Sequence, residues 1–391
     1  MAAAPQPKPF LVVFGNQLFP LEYLPTPTEV RVFMAEDLGL CTYVRHHQQK
    51  IVLFLAAMRS YADALMSAGY DVHYERLDSR GTESYEAKLG TQLQATGATE
   101  LVHFEIEDKA MEERLVEFSR SRGLARTELS SPMFLCTRDE FATFAKDSKR
   151  LLMGEFYKQQ RRRLGILVND AGQPTGDKWS FDADNRKKLP KRLEPPPIHW
   201  ACATEHVDDV IELVEREFAD HPGDAREFCW PTTRQQALVW LGQFIEHRLE
   251  QFGPYEDAMT TRSPAVFHSV LSPCMNLGLL TPAEIIEKVM AQADRIPLNS
   301  LEGFVRQVIG WREFVRGVYW LHMPEYAERN FFGHERELPS FFWDGKTEMR
   351  CVADSMSTVL RFAYAHHIHR LMVLGNFSLL WGAHPRHFHD W

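Results

Sequence analysis

The first third of the chain alternates short apolar runs with stretches of helical periodicity. Four runs predict β-strands: FLVVFG (10–15), RVFMAE (31–36), YDVHYERL (70–77) and LVHFEI (101–106). The stretches from His46 to Met66, from Glu86 to Leu93 and from Lys109 to Ser121 predict intervening helices. Because a strand, a crossover helix and a second strand form a parallel pair, this order predicts a parallel sheet covered by helices.

A polar tetrapeptide, GNQL (15–18), follows the first predicted strand. The carboxyl ends of the strands form the crevice in which open α/β sheets usually bind a ligand. The sequence has neither a GxGxxG nor a GxxxxGK[ST] motif. Position alone therefore indicates a ligand site here.

Between Phe156 and Pro197 the composition changes. From Lys158 to Arg192 ten Lys or Arg residues stand against four Asp, a local net charge of +6, with Trp179 and Phe181 among them. This segment predicts a long interdomain connection with a basic surface. Two interpretations stay open: a solvated linker, or a contact in which cations neutralise phosphates and aromatic rings stack on unpaired bases.

From about Thr232 onward the sequence has helical periodicity and no convincing strand. TPAE (281–284) predicts a capping box with Pro at the first helical position. In LEGFVRQVIGWREFVRGVYW (301–320) a 3.6-residue period predicts one buried face, made of Leu301, Phe304, Val305, Val308, Ile309, Val315 and Tyr319. Gln307, Trp311 and Phe314 form a second stripe, which either lines a cavity or packs in the core.

A second helix start lies within FHSVLSPCMNLGLLTP (267–282), where Ser272-Pro273 has the N-cap and N1 pattern. Free N–H groups at that end, with the hydroxyls of Ser269 and Ser272, would favour an anion such as a phosphate. Simple capping is the alternative.

Three histidines, His366, His367 and His369, stand inside an apolar run. A single helix through 359–380 is predicted to place His367, Arg370, Leu371 and Leu374 on one face and His366, His369, Arg370 and Val373 on the adjacent stripe. An imidazole in a mostly apolar pocket suits general acid catalysis. A metal site at His366 and His369 and a purely structural role are the alternatives, although no HExxH motif is present.

Composition limits the class of protein. The chain has 391 residues, 45% of them hydrophobic and 25% charged, which is typical of a globular protein with core enough for two domains. The formal charge of −9 argues against general coating of nucleic acid but allows a local basic patch. Six scattered cysteines give no CxxC spacing. The N-terminus lacks a signal-peptide pattern and the longest apolar runs are too short to span a bilayer, so we expect a cytoplasmic protein without membrane contact.

Three stretches together resemble the photolyase/cryptochrome superfamily: YEDAMTTRSPAVFHSVLSPCMNLGLLTP (255–282), FVRQVIGWREFVRGVYW (304–320) and AYAHHIHRLMVLGNFSLL (363–380). TYVRHHQQKIVLFLAAMR (42–59), KWSFDADNRKKLPK (178–191) and FFWDGKTEMRC (341–351) resemble, more narrowly, the bacterial iron–sulfur (6-4) photolyases and cryptochromes, also called deoxyribodipyrimidine photolyase-related proteins. The matches run in the same order over nearly the whole chain.

The resemblance implies an α/β plus all-α fold. A doubly wound parallel sheet, the α/β antenna domain, would occupy residues 1–135. A linker with a basic DNA-facing loop would occupy 136–231, and a helical FAD-binding domain, incomplete at its end, would occupy 232–391.

The resemblance also implies the cofactor and the catalytic groups. The FAD pocket would use Tyr255, His268, Ser269, Leu271, Ser272, Gln307, Arg312, Arg370 and Asn376, with the diphosphate at the Ser272 helix start. His367 would donate a proton to a flipped-out lesion, with His366 beside it, and Leu371 stands where the eukaryotic enzymes have a second His.

Further roles follow from the same resemblance. Trp343 and Trp391 would relay electrons to the flavin. Gly15, Gln17 and Glu36 would hold a lumazine antenna, with Asn16 where the family usually has Asp. UV-damaged DNA would be the partner of a monomeric protein, contacted by Arg161, Arg162, Lys178, Trp179, Arg186 and Lys187.

Proteins of this family continue past the position of Trp391, through a stretch that carries three of four cluster cysteines; Cys351 matches the fourth. Because one thiolate cannot hold a four-iron cluster, we expect a truncated or degenerate member without it. The same stretch carries the Asp that pairs with Arg370, so that side chain is expected to lack its partner. His384, His387 and His389 would form an exposed terminus that was once interior.

The leading hypothesis is light-driven, FAD-dependent repair of (6-4) pyrimidine photoproducts by electron transfer. A cryptochrome-like blue-light photoreceptor without repair activity and an inactive truncated paralogue are the alternatives.

Overall fold

The computed structural model describes residues 7–77 and 83–391. The chain forms two compact units. The first consists of Met1–Met133, Ala201–Ala237 and Pro273–Leu280, and the second of Phe134–Trp200, Leu238–Ser272 and Thr281–Trp391. The three-part division at 135 and 231 stays a prediction.

The first unit is built on a five-stranded parallel sheet. Its strands are β1 (Phe10–Val12), β2 (Arg31–Ala35), β3 (Val72–Glu75), β4 (Glu100–Phe104) and β5 (Ala125–Leu129), in the order β3-β2-β1-β4-β5. In register, Val12 lies opposite Phe33 of β2 and His103 of β4. The chain adds β2 and β3 on one side of β1 and then β4 and β5 on the other side. The carboxyl ends of β1 and β4 therefore form the topological switch point, where such sheets bind ligands.

Helices of the first unit are α1 (Leu38–Thr42), α2 (Gln48–Ser67), α3 (Tyr85–Thr96), α4 (Lys109–Ser121) and α7 (Val207–Glu217). The side chains of Asp37, Ser84 and Asp108 cap α1, α3 and α4 by accepting from backbone N–H groups. The central strands are buried on both faces, as parallel sheets require.

Sequence patterns predicted most of this unit. The parallel sheet, its first four strands and its three long helices are confirmed, to within a few residues at their ends. Helices α1 and α7 and strand β5 were not predicted; α7 lies inside the stretch 136–231 that was expected to be a linker. Strand β5 (ARTEL) lies at the sheet edge with mostly exposed residues, so it carries no apolar signal.

The second unit is helical. Its elements are α5 (Arg138–Asp147), α6 (Met153–Leu164), α9 (Leu249–Phe252), α11 (Pro282–Met290), α12 (Leu298–Val305), α13 (Glu313–His322), α14 (Phe341–Asp344), α15 (Arg350–Phe362), α16 (Asn376–Trp381) and α17 (Pro385–Asp390). Two helices run across the division of the chain, α8 (Arg234–His247) and α10 (Ser272–Leu277). One half of the capping box predicted for α11 is confirmed, because the Thr281 side chain accepts from the Glu284 N–H and Pro282 stands at the first helical position.

A π-helical segment, Arg306–Arg312, separates α12 from α13 and changes which residues are buried. Leu301, Val305 and Ile309 are buried as predicted. Val315, predicted on the same face, is 59% exposed, and Glu313, Arg316 and Gly317 are buried instead. A π-turn holds more residues per turn than an α-turn, so every side chain after it points in a different direction from the one that a regular α-helix would give it.

The single helix predicted through 359–380 is wrong. Helix α15 ends at Phe362, and Ala363 takes a left-handed conformation with φ 52°. A second π-helical segment, Ile368–Gly375, then precedes α16. The predicted separation of the histidines nevertheless agrees with the structure, because His366 and His369 lie side by side and are buried whereas His367 is exposed.

Residues 165–206 contain no α-helix or strand beyond short 3-10 turns, which agrees with an irregular connection after α6. Within 7–77 and 83–391, no helix combines the length and the apolar character needed to cross a bilayer.

Gly317 in α13 tests the packing of the second unit. A Cβ there would lie 2.2 Å from ring carbons of Phe141, which is buried beside Phe144 and Phe156. Gly317→Ala should lower the free energy of unfolding by about 1–3 kcal/mol through overpacking, despite the better helix propensity of Ala.

The matched control is Gly242→Ala in α8, where a Cβ would meet nothing within 4 Å. This variant should gain up to about 1 kcal/mol from helix propensity. Urea unfolding measures both variants, and equal effects would contradict the packing argument.

Candidate functional site

A buried ionic cluster lies at the start of the π-helical segment 306–312. The guanidinium of Arg306 lies 3.2 Å from a Glu302 carboxylate oxygen, 3.3 Å from Asp182 and 3.6 Å from Glu256. Arg306, Glu302 and Glu256 are all buried. Removing charges from water is costly unless they are paired, so these residues hold one another in place. We call Arg306, Glu302, Glu256 and Asp182 the Arg306 cluster.

Three residues predicted for the cofactor pocket meet at Glu256. The Gln307 amide donates to Glu256 Oε1 at 2.6 Å, Tyr255 is its chain neighbour, and a backbone hydrogen bond joins Glu256 to His268. Burial raises the pKa of the Glu256 carboxyl to about 7, while Arg306 acts in the opposite direction. Glu256 can therefore change its protonation near neutral pH beside Gln307.

Next to this group, three imidazoles are stacked. The ring centroids of His268 and His366 are 4.7 Å apart and nearly parallel, and those of His366 and His369 are 3.9 Å apart. His366 and His369 are buried. The Nε2 atoms of His268 and His366 are buried without a hydrogen-bond partner among the described residues. Unpartnered polar atoms of this kind fit a bound polar ligand or water.

Burial holds these three rings in their neutral form. It lowers the pKa of His268 to about 3 and the pKa of His366 still further, with the neighbouring imidazoles adding to the effect. Burial also lowers the pKa of His369, whereas Asp354, 3.6 Å from its Nε2, acts to raise it. His367 differs from them, because its side chain is exposed. Of the two predicted catalytic histidines, only His367 is therefore placed to exchange protons with solvent.

The other predicted pocket residues take varied positions. Leu271 is buried, and its N–H donates to Ser269 Oγ at 3.4 Å, while Ser272 is exposed at the start of α10. Arg312 lies over the Phe134 ring at 4.0 Å and 3.9 Å from Glu313. Arg370 and Asn376 are exposed, and the Asn376 amide donates to the Met372 carbonyl. The contacts thus join Tyr255, His268 and Gln307 most closely.

Two predicted relay residues flank Phe342. Trp391 donates from its indole to the Phe342 carbonyl at 2.8 Å and packs edge-on against its ring at 4.9 Å. Trp343 is 45% exposed. Cys351 is exposed in the first turn of α15. Across 7–77 and 83–391, no group of three or more His, Cys, Asp or Glu side chains is arranged to hold a metal ion.

The basic segment after α6 is organised by Arg161. This side chain is buried, and its guanidinium donates to the carbonyls of Ile166, Leu167 and Trp179. The prediction that Arg161 contacts DNA disagrees with this burial, because the side chain has no exposed surface to present to DNA and donates from Nε, Nη1 and Nη2 within the loop. Trp179 lies between two guanidinium groups, 5.0 Å from that of Arg161 and 4.5 Å from that of Arg162.

The remaining predicted DNA contacts are exposed: Arg162, Lys178, Arg186 and Lys187. Arg186 pairs with Asp182 of the Arg306 cluster, and Lys178 lies 3.8 Å from Asp184. The ammonium of Lys187 makes no ion pair within the described ranges. These exposed cations give the second unit a basic surface.

In the first unit, the predicted antenna residues lie at the carboxyl ends of the strands. The Gln17 amide donates to the Glu105 carbonyl at 3.0 Å, which bridges the ends of β1 and β4 at the switch point. Glu36 is buried and accepts from Arg59 at 2.7 Å, from the Tyr74 hydroxyl at 2.8 Å and from the Leu77 N–H at 2.6 Å. A Cβ at Gly15 would lie 2.9 Å from Met58 Sδ. Glu36 thus already has a full set of partners.

Comparison with known proteins identifies the family. A family described as "Deoxyribodipyrimidine photo-lyase-related protein" matches residues 11–230. The chain is also 36% identical over 388 residues to a (6-4) photolyase of Agrobacterium fabrum, an alignment that covers 97% of this chain and 76% of that protein. This chain belongs to the photolyase-related family.

Solved structures show the same fold for this photolyase-related chain. A bacterial class III photolyase from Agrobacterium tumefaciens has a TM-score of 0.59 and 19% identity, covering 97% of this chain and 74% of that one. A Synechocystis cryptochrome has a TM-score of 0.67 and 16% identity, covering 99% and 78%. The predicted α/β plus helical fold class is confirmed.

The Arg306 cluster of this photolyase-related chain was not predicted. Glu302 and Arg306 stand four residues apart, but by the 3.6-residue period they lie beside the predicted apolar face and not on it. Their spacing is typical of an ion pair on a helix surface, so nothing in the sequence indicated that the pair is buried. Glu256 had no signal either, because its partners come from distant segments.

The imidazole stack predicts a pH dependence of stability. His366 is neutral when folded but gains a proton in the unfolded chain below its ordinary pKa, so the unfolded chain binds more protons as the pH falls. Protonation of the unfolded chain at His366 therefore does not affect the free energy of unfolding above about pH 6.5, and it lowers that free energy progressively as the pH falls below this value. His366→Phe should therefore flatten the dependence by about 1 kcal/mol per pH unit between about pH 6 and pH 4.5.

Urea unfolding at several pH values measures this slope. His389→Phe, at an exposed position, is the control and should leave the slope unchanged. The same slope in wild type and His366→Phe would show that His366 is not held neutral.

Proposed function

We propose that this chain is a light-driven DNA repair enzyme that uses FAD to reverse (6-4) pyrimidine photoproducts. The observation that carries the proposal is the 36% identity, over 97% of the chain, with a protein named (6-4) photolyase. The similarity is spread along the chain and includes both units, so it is not confined to the sheet. The lesion comes to this chain through the name of that relative, and the cofactor through the resemblance of 255–282, 304–320 and 363–380 to the photolyase/cryptochrome superfamily.

The proposed FAD pocket centres on Tyr255, His268 and Gln307 in the second unit. The unpartnered Nε2 atoms of His268 and His366 support it, because a polar ring system would satisfy them. Ser269, Leu271, Ser272, Arg312, Arg370 and Asn376 complete the proposed set. When bound, the flavin supplies the light-driven electron that opens the lesion.

The proton would come from His367. Its imidazole is exposed at the bend that follows Ala363, whereas His366 is buried and neutral. Exposure lets the His367 ring exchange its proton with solvent and present an N–H to a base flipped out of the duplex. His366 would act through position, since its Nδ1 accepts from the Ile368 N–H at 3.2 Å and holds the turn that carries His367.

Auxiliary roles stay proposals. Trp343 and Trp391 are offered as electron relays, and Gly15, Gln17 and Glu36 as a lumazine site. A ligand at Glu36 would have to compete with Arg59, Tyr74 and the Leu77 N–H, which argues for contacts through Gln17 and the backbone instead. DNA contact is offered for Arg162, Lys178, Trp179, Arg186 and Lys187.

The first experiment is an absorption spectrum of the purified chain, before and after heat release of any chromophore. Structured flavin bands that become free FAD on heating are the expected result. A folded but colourless protein that does not take up added FAD would overturn the proposal. Flavin without turnover of a (6-4) oligonucleotide under blue light would favour the photoreceptor alternative.

His367→Ala tests the proton donor. We expect (6-4) turnover under blue light to fall by about 10²–10⁴-fold, the usual contribution of a general acid, while bound flavin stays unchanged. The control is His389→Ala, another exposed histidine, which should repair like wild type. Loss of flavin from His367→Ala would instead make His367 a pocket residue.

A further inference from the structure

A second pocket in the helical unit lies away from the imidazole stack. It has a volume of about 580 Å³ and lies between the basic segment and the start of α12. Its apolar wall is made by Phe181, Ala183 and Leu298, and its polar wall by Asp184, Arg186, Lys187 and Asn299. The carboxylate of Asp184 lies 3.8 Å from the ammonium of Lys178, which offsets its charge. This volume is in the range of small-molecule sites.

The walls of this pocket combine three kinds of group. The half-buried ring of Phe181 offers a flat apolar face. Lys187 and Arg186 supply positive charge, and Lys187 has no carboxylate partner in the part of the chain described. The Nδ2 atom of Asn299 donates to Asn185 Oδ1 at 3.0 Å, and the Oδ1 atom of Asn299 can accept a hydrogen bond from a ligand.

The Arg306 cluster fixes the shape of the pocket from beneath. Glu302 Oε2 accepts from the Phe181 N–H at 2.9 Å, and Glu256 Oε2 accepts from the Asn185 amide at 3.2 Å. Because Glu302 and Glu256 are buried and paired with Arg306, the backbone of 181–185 is held without the help of a ligand. A site built on such support needs little ordering when a ligand binds.

Gly176 closes the pocket's apolar side. Its φ is +74°, and a Cβ there would lie 2.5 Å from Leu298 Cδ2 and 3.1 Å from Phe181 Cζ. The loop backbone therefore packs directly on the two apolar side chains, which holds the Phe181 ring in place.

We propose that this pocket binds one nucleotide of an unpaired DNA strand. The base would stack on Phe181 and lie against Leu298, with its edge at Asn299, while the phosphate would contact Lys187 and Arg186. An aromatic platform beside cations is how proteins hold single strands without sequence preference. The inference rests on the proposed function only in taking DNA as the ligand, and it adds a nucleotide site separate from the lesion pocket.

The test uses the full chain with its bound chromophore and a fluorescently labelled, undamaged single-stranded thymidine decamer. Phe181→Leu removes the ring but keeps an apolar side chain, and it should weaken decamer binding about tenfold, as loss of one stacked base does. Ala183→Glu, at an exposed position of the pocket lining, should weaken binding without touching the core. Wild-type affinity in both variants would overturn the inference.

The charge contribution has a matched control. Lys187→Ala should reduce the slope of log affinity against log salt by about 0.7, the value of one phosphate contact on a single strand. Lys188→Ala removes the same charge from the neighbouring residue, which does not line the pocket. Equal slopes for the two variants would mean that the strand is attracted by the general positive charge of the segment, and this would contradict a phosphate contact in the pocket.

Free thymidine monophosphate distinguishes a strand from a lone nucleotide. The decamer should bind much more tightly than the monophosphate, and monophosphate affinity equal to that of the decamer would contradict a strand site. Repair of (6-4) DNA is measured separately. If the decamer binds in a Phe181-dependent way but (6-4) DNA is not repaired, the nucleotide site is supported and the proposed function is contradicted. If (6-4) DNA is repaired but decamer binding does not depend on Phe181, the proposed function is supported and the nucleotide site is contradicted.

Discussion

The second unit depends on one buried arginine. Arg306 lies among Glu302, Glu256 and Asp182, which come from three separate segments of the chain. A buried ion pair is weak evidence of net stability, but removing one partner leaves an unpaired charge and is strongly unfavourable. The cluster therefore acts by specifying geometry: Glu302 holds the backbone at Phe181, and Glu256 holds both Asn185 and Gln307. The basic loop and the proposed flavin pocket rest on the same carboxylates.

Two π-helical segments explain why that geometry escapes a regular pattern. Arg306–Arg312 begins at the cluster itself, and Ile368–Gly375 begins beside the imidazole stack. Each wide turn shifts the phase of the side chains that follow, and such turns often occur at functional sites. The first turn brings Glu313 inward, where its carboxylate accepts from the N–H groups of Leu135 and Cys136. A regular helix would have buried Val315 on the predicted face instead.

The regular and irregular parts of the fold differ in how well the sequence predicts them. Strands buried on both faces, such as β1 and β2, carry a continuous apolar signal, and the parallel sheet was predicted from them. Edge strand β5 has no buried face and gave no signal. In the helical unit, the motifs identified which residues matter, but a period of 3.6 could not place them. The left-handed Ala363 and the π-turns are set by tertiary packing, which local patterns do not report.

The histidine run shows how this packing divides chemistry among similar side chains. Three imidazoles close together in sequence become two buried rings, His366 and His369, and one exposed ring, His367. The i, i+3 spacing of His366 and His369 predicted that these two share a stripe apart from His367, and their rings lie 3.9 Å apart although the helix is interrupted between Phe362 and Ile368. Burial makes His366 and His369 poor acids at neutral pH, since charging them would require a desolvated cation. A donor that must be reprotonated in each turnover needs contact with solvent, so exposure is what distinguishes His367 for its proposed role.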